Sequence, residues 1–127
     1  MEVHVTSTRD VLDHHLQCFG AGDLEGTLAD YAADSVLLTA DGALRGLPAI
    51  REFFARVYAE FGQPGTTAAV RQVLVERDFA FVCWDAETPD HKYEGASDAF
   101  LVRDGRIAVQ TFCAKVTAKR AGQTEPA

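Results

Sequence analysis

"SDAFLVRDGRIAVQTF", residues 97–112, is the stretch that decides the fold. Asp104–Gly105 lies between two alternating apolar runs, a strong β-hairpin signal. In the first run Ala96, Asp98, Phe100 and Val102 share one strand parity; Ala99 and Leu101 fill the other. A strand that is apolar on both parities has both faces covered. Asp98 is therefore a candidate buried carboxylate, in an element that aspartate disfavours.

Outward from this hairpin, residues 67–76, 79–88, 92–103 and 106–117 read as strands. Their connections, "RD", "PDHK" and "DG", are short, so the strands pair antiparallel as a meander. The first half is mainly helical. Ser7-Thr8-Arg9-Asp10 resembles a capping box with Asp in place of Glu. After it Val11, Leu12, His15, Leu16 and Phe19 form one helical stripe, which Gly20 and Gly22 end. Asp23 caps a short second helix with Leu24, Thr27, Leu28 and Tyr31 on one face. "SVLLTA" is a short strand and Asp41-Gly42 a turn. Pro48 opens a third helix that turns Ile50, Phe53, Phe54, Val57, Tyr58 and Phe61 inward. Three helices on one face of a curved antiparallel sheet make a single α+β domain over residues 1–127. "AKRAGQTEPA", residues 118–127, is a frayed tail. The other sheet face carries Val82 and Trp84 on one strand and Val109, Thr111 and Cys113 on another. Covering that face calls for a homodimer.

The length, 127 residues, fits one domain with a real core. A net charge of −7 argues against nucleic acid and anionic membranes as partners. There is no apolar run of transmembrane length, and "MEVHVTSTRD" lacks a signal-peptide layout. Cys18, Cys83 and Cys113 are odd in number, far apart and without a CxxC, which suits a reducing cytoplasm and free thiols. No HExxH, phosphate loop or nucleophile elbow occurs, so neither metal nor cofactor is expected.

Three polar residues in apolar settings carry the chemical reading. His15 sits mid-stripe, either as a hydrogen-bonded core histidine or as a ligand-facing acid/base group. His14 points about 100° away and makes no metal pair with it. His4 and His91 stand alone. Tyr31 is either a structural tyrosine or a pocket group. Asp98 is either protonated, or paired with backbone, Arg103 or Arg106. Gln110 shares parity with Phe112 and faces the same interior as Asp98. Asp85 lies near a strand end and is read as solvated. Trp84 is read as interface rather than pocket.

"HLQCFGAGDLEGTLADYAADSVLL", "LRGLPAIREFFARVYAEF" and "SDAFLVRDGRIAVQTFCAKV" resemble the nuclear-transport-factor-two-like superfamily, in its SnoaL-like and ketosteroid-isomerase-like branch. The similarity runs over roughly residues 8 to 117. It implies a cone-shaped, cystatin-like fold with a mainly apolar pocket, usually as a homodimer. Against the ketosteroid isomerases, Asp98 falls on the acid of the oxyanion hole, which in those enzymes is a carboxylic acid kept neutral by its apolar site. Tyr31 falls on a supporting tyrosine. His15 replaces the oxyanion tyrosine, Thr39 occupies the general-base position and Phe54 replaces another hydroxyl. These departures point away from steroid isomerisation. The resemblance implies a cofactor-independent enzyme for a small apolar carbonyl or hydroxyl compound, with Asp98, His15 and Tyr31 as catalytic candidates. Gln110, Phe54, Tyr58, Phe100, Phe112 and Thr39 are the substrate-binding candidates. The alternative is a non-catalytic ligand-binding or accessory dimerisation domain.

Overall fold

The computed structural model describes residues 7–119. His4 and residues 120–127 of the expected tail lie outside them. The element order is α1 (Thr8–Ala21), α2 (Leu24–Leu28), β1 (Tyr31–Thr39), β2 (Gly42–Arg45), α3 (Leu47–Phe61), β3 (Thr67–Glu76), β4 (Phe79–Glu87), β5 (His91–Arg103) and β6 (Arg106–Ala118). Ser7 caps α1 through the expected reciprocal bonds with Asp10, and Gly22 ends it in the left-handed conformation. Asp23 caps α2. Pro48 sits in the first turn of α3.

The six strands form one curved, open sheet in the order β2-β1-β6-β5-β4-β3. The meander β3 to β6 is antiparallel as expected. The sheet is not wholly antiparallel, however, because β1 pairs parallel with β6. The chain reaches β6 through all the intervening elements, so loop lengths held no sign of this pair. β1 is also longer than "SVLLTA": it begins at Tyr31, which pairs with Ile107. Tyr31 therefore belongs to the sheet and not to the second helix, which ends at Leu28. Beyond Asp41, β2 is a further strand where the sequence suggests only chain after a turn. At the other end, Ala118 is in β6 and Lys119 donates to Glu87 and to the Thr88 carbonyl, so position 118 belongs to the sheet and not to a frayed tail.

Cross-strand partners share a face. Val82, Asp98 and Phe112 are partners across β4, β5 and β6, as are Ala80, Phe100 and Gln110. These sets look toward the helices. Phe81, Ala99 and Thr111 form an outward set, with Phe79, Leu101 and Val109 beside them. Trp84 and Val82 share the inner parity, contrary to the expectation for the outer face; Phe79 and Phe81 are the outward residues. Their exposures, 60% and 37%, settle the parity. A one-residue slip inverts every side chain of a strand, and β4 carries large apolar residues on both parities. The core lies between α1, α3 and the inner face, where Val11, Leu12, Leu37, Ile50, Phe54 and Ile107 are buried. No helix among the described residues is long and apolar enough to cross a membrane.

Candidate functional site

A cavity of about 200 Å³ opens to solvent between the helices and the inner sheet face. Its walls are mostly aromatic, with Phe53, Phe54 and Phe61 from α3, Trp84 from β4, Phe100 from β5 and Phe112 from β6. Trp84 stacks on Phe112 at 5.9 Å and 17°. Among the described residues, polar groups reach the lining from His15, Trp84, Tyr93, Asp98 and Gln110.

Asp98 leaves β5 toward this cavity. One carboxylate oxygen accepts the indole N–H of Trp84 at 2.8 Å; the other accepts an amide N–H of Gln110 at 2.8 Å. The Tyr31 hydroxyl in turn donates to the Gln110 carbonyl oxygen. A continuous chain thus runs from Tyr31 through Gln110 to Asp98, with Trp84 closing it from the other side. Burial pushes the Asp98 carboxyl up to about 6, opposed by these two donated hydrogen bonds. Arg103 and Arg106, expected as alternative partners, face each other across the exposed end of the hairpin. Burial, and then the Asp98 charge, raises the Tyr31 hydroxyl well above its ordinary range, so it stays a donor.

His15 comes from α1 and is 4% exposed. The rings of Phe100, Phe54 and Tyr31 meet it edge-on at 5.2, 5.9 and 6.2 Å. Its Nδ1 is the one buried side-chain polar atom without a partner among the described residues. The expected core histidine tied to backbone or hydroxyl is therefore not what the fold makes of this nitrogen. Burial, helped by His14, lowers its pKa to about 4, so the imidazole is neutral at physiological pH. His14 turns away, as helix geometry requires, and pairs with Asp30 at 2.8 Å.

Of the residues singled out in the sequence, His15, Asp98, Gln110, Phe54, Phe100 and Phe112 line the cavity together. Tyr31 stands behind Gln110, off the lining. Thr39 and Tyr58 are not brought to it. Thr39 bonds within the β1–β2 turn, to the Gly42 carbonyl and the Asp41 N–H. The Tyr58 hydroxyl pairs with Thr27 at 2.6 Å. Asp85 is not simply solvated: it accepts the Gly95 N–H and pairs with Arg71. Sequence reasoning missed Trp84 and Tyr93 as lining residues. A buried carboxylate needs donors, and that requirement was the available signal for Trp84. Tyr93 donates to Glu60 at 2.9 Å, and Glu60 also accepts from Thr88 and His91 at the end of α3.

A family model described as the SnoaL-like domain matches residues 12–110. This chain is a member of the SnoaL-like domain family. Comparison of this SnoaL-like domain with curated proteins gives no match. Among solved structures it is similar to a candidate ketosteroid isomerase from Kribbella flavida, with 16% identity and a TM-score of 0.71 over 97% of this chain and 87% of that one. A candidate polyketide cyclase from Sinorhizobium meliloti matches with 19% identity and a TM-score of 0.67, over 81% and 93%. An NTF2-like protein of unknown function from Cytophaga hutchinsonii matches with 12% identity and a TM-score of 0.70, over 91% and 95%. At these identities the likeness fixes the fold of the SnoaL-like domain as NTF2-like, while function has to be argued from the site.

Proposed function

We propose that this SnoaL-like domain is a cofactor-independent enzyme of isomerase, cyclase or lyase type, acting on a small apolar compound that carries a carbonyl or hydroxyl. The observation that carries this reading is Asp98, an ionisable carboxyl held by Trp84 and Gln110 on the wall of an aromatic cavity. With a pKa of about 6 it exchanges a proton readily near neutrality, as a general acid or base must. Asp98 takes a proton from the substrate and returns it; both oxygens keep a lone pair for that purpose. Neutral His15, on the same lining, is the second proton-handling group. Tyr31 and Gln110 orient the carboxyl.

A binding-only pocket is the second reading, favoured by each Asp98 oxygen already having a donor within the protein. The discriminating experiment is proton–deuterium exchange into a panel of small ketones and hydroxy compounds in D2O. Asp98→Asn should retain ligand binding and lose on the order of 10² or more in exchange rate, the range of a positioned acid/base. Equal exchange by both proteins, or by neither, removes the catalytic reading.

The exposed outer face, with Leu38, Leu74, Phe79 and Phe81, supports a homodimer as the working form.

A further inference from the structure

We infer that Glu60 is a positioning residue that seals the cavity between α3 and β5, so that ligands enter on the β3 side. This rests on the cavity being a ligand site, as proposed above, and names the residue that controls access to it.

Glu60 is out of place by local rules. A carboxylate in the last turn of a helix meets the negative end of the helix dipole, and α3 has no basic residue there to offset it. Its side chain is only 16% exposed, a burial that is costly for a carboxylate without partners. The compensation comes from the sheet. Glu60 accepts the Thr88 hydroxyl at 2.6 Å and the Tyr93 hydroxyl at 2.9 Å, and His91 Nδ1 lies 2.9 Å from it. All three partners belong to the β4–β5 turn or to the start of β5. The turn itself is held in shape: the buried Thr88 hydroxyl oxygen accepts the N–H groups of Asp90 and His91. Just beyond α3, Gln63 adds a bond to Asp90 at 2.9 Å.

These bonds sit at the cavity wall. Phe61, next to Glu60 in the chain, and Tyr93 both line the cavity, and their rings meet at 5.3 Å. Both also pack on Trp84, at 6.1 and 5.8 Å. Burial, and then the Glu60 charge, raises the Tyr93 hydroxyl above its ordinary range, so it stays a donor. Anchored in this way, Tyr93 keeps its ring against Phe61 and carries the wall from helix to sheet. Across the cavity the lining residues Ala68 and Val70 belong to the edge strand β3, and Val70 is 57% exposed. The entrance therefore lies past β3 and not at the α3–β5 seam.

The test reads access through Trp84, the chain's one tryptophan, which faces the cavity. Its fluorescence is quenched with acrylamide, a small neutral solute, while urea unfolding checks that each variant is folded. Glu60→Ala should raise the quenching constant several-fold, because the seam opens without global unfolding. Glu60→Gln, whose amide oxygen still accepts from Tyr93, should stay near wild type. Tyr93→Phe keeps the ring and removes only its anchor; it should also raise quenching, and it decides the matter if Glu60→Ala folds poorly. Val70→Phe, which narrows the β3 side, should lower quenching of the otherwise wild-type protein. Equal quenching in wild type, Glu60→Ala and Tyr93→Phe overturns the seal, and indifference to Val70→Phe overturns the route; both leave the pocket reading standing. A wild type whose Trp84 acrylamide cannot reach has no open cavity, and the pocket reading then fails as well.

Discussion

Asp98 and His15 titrate in opposite senses over nearly the same pH range. Asp98 has a folded pKa of about 6, above its ordinary 3.8, so protonation favours the fold. Its contribution is complete below about pH 4 and is lost as pH rises through 6. His15 has a folded pKa of about 4, below its ordinary 6.5, so its neutral form favours the fold. That contribution is complete above pH 6.5 and is lost as pH falls through 4. Each amounts to roughly 3 kcal/mol, and between pH 4 and 6 they offset each other. Urea unfolding should show this directly when each variant is compared with wild type. In Asp98→Asn, stability relative to wild type should climb by about 2–3 kcal/mol from pH 4 to 6.5. In His15→Gln it should fall by a similar amount. Parallel profiles for variant and wild type would mean that neither group is buried as described.

At the scale of the elements, a small polar side chain sits at an irregularity in β1. Between Tyr31 and Val36 its parallel register with β6 shifts. Ser35 sits at that irregularity, 1% exposed. Its hydroxyl donates to the Ile107 carbonyl at 2.6 Å and accepts the Ala32 N–H at 2.8 Å. The hydroxyl thus bridges two backbone groups at the register shift. Ser35→Ala should therefore cost about 2 kcal/mol in urea unfolding, more than a typical serine truncation. It should also disturb Tyr31, four residues earlier, and through Gln110 the carboxyl of Asp98. A shift in the pH profile of the Trp84 indole signal would report that second effect. A loss confined to stability would show the site to be buffered from the β1 bulge.

For the molecule as a whole, the two sheet faces differ in what covers them. The inner face has helices and the cavity. The outer face leaves Phe79 60%, Leu74 53% and Leu38 41% exposed. With a net charge of −7 the chain has some protection against association, yet this face is a contiguous apolar surface. Light scattering on the wild type should give a dimer mass. Phe79→Lys with Phe81→Lys should give a monomer that still binds the cavity ligand. A wild type that is monomeric at high concentration would end the dimer proposal. Trp84, read from the sequence as part of such an interface, faces the cavity instead.

The sequence by itself determined the parts governed by local rules. Caps, glycine stops, the helical stripes and the Asp-Gly hairpin placed α1, α3 and the four-stranded meander within a residue or two. The half-buried carboxylate at position 98 was legible because aspartate in a two-faced apolar strand is locally unfavourable. Its partners were not. Which face Trp84 takes, that Tyr31 belongs to β1, and that Thr39 is held in a turn all depend on register between strands. Register along β4 was ambiguous because both parities are apolar, and the β1–β6 pair joins segments about 75 residues apart in the chain. Local propensity does not specify such a pairing, because it depends on how segments distant in the chain pack together.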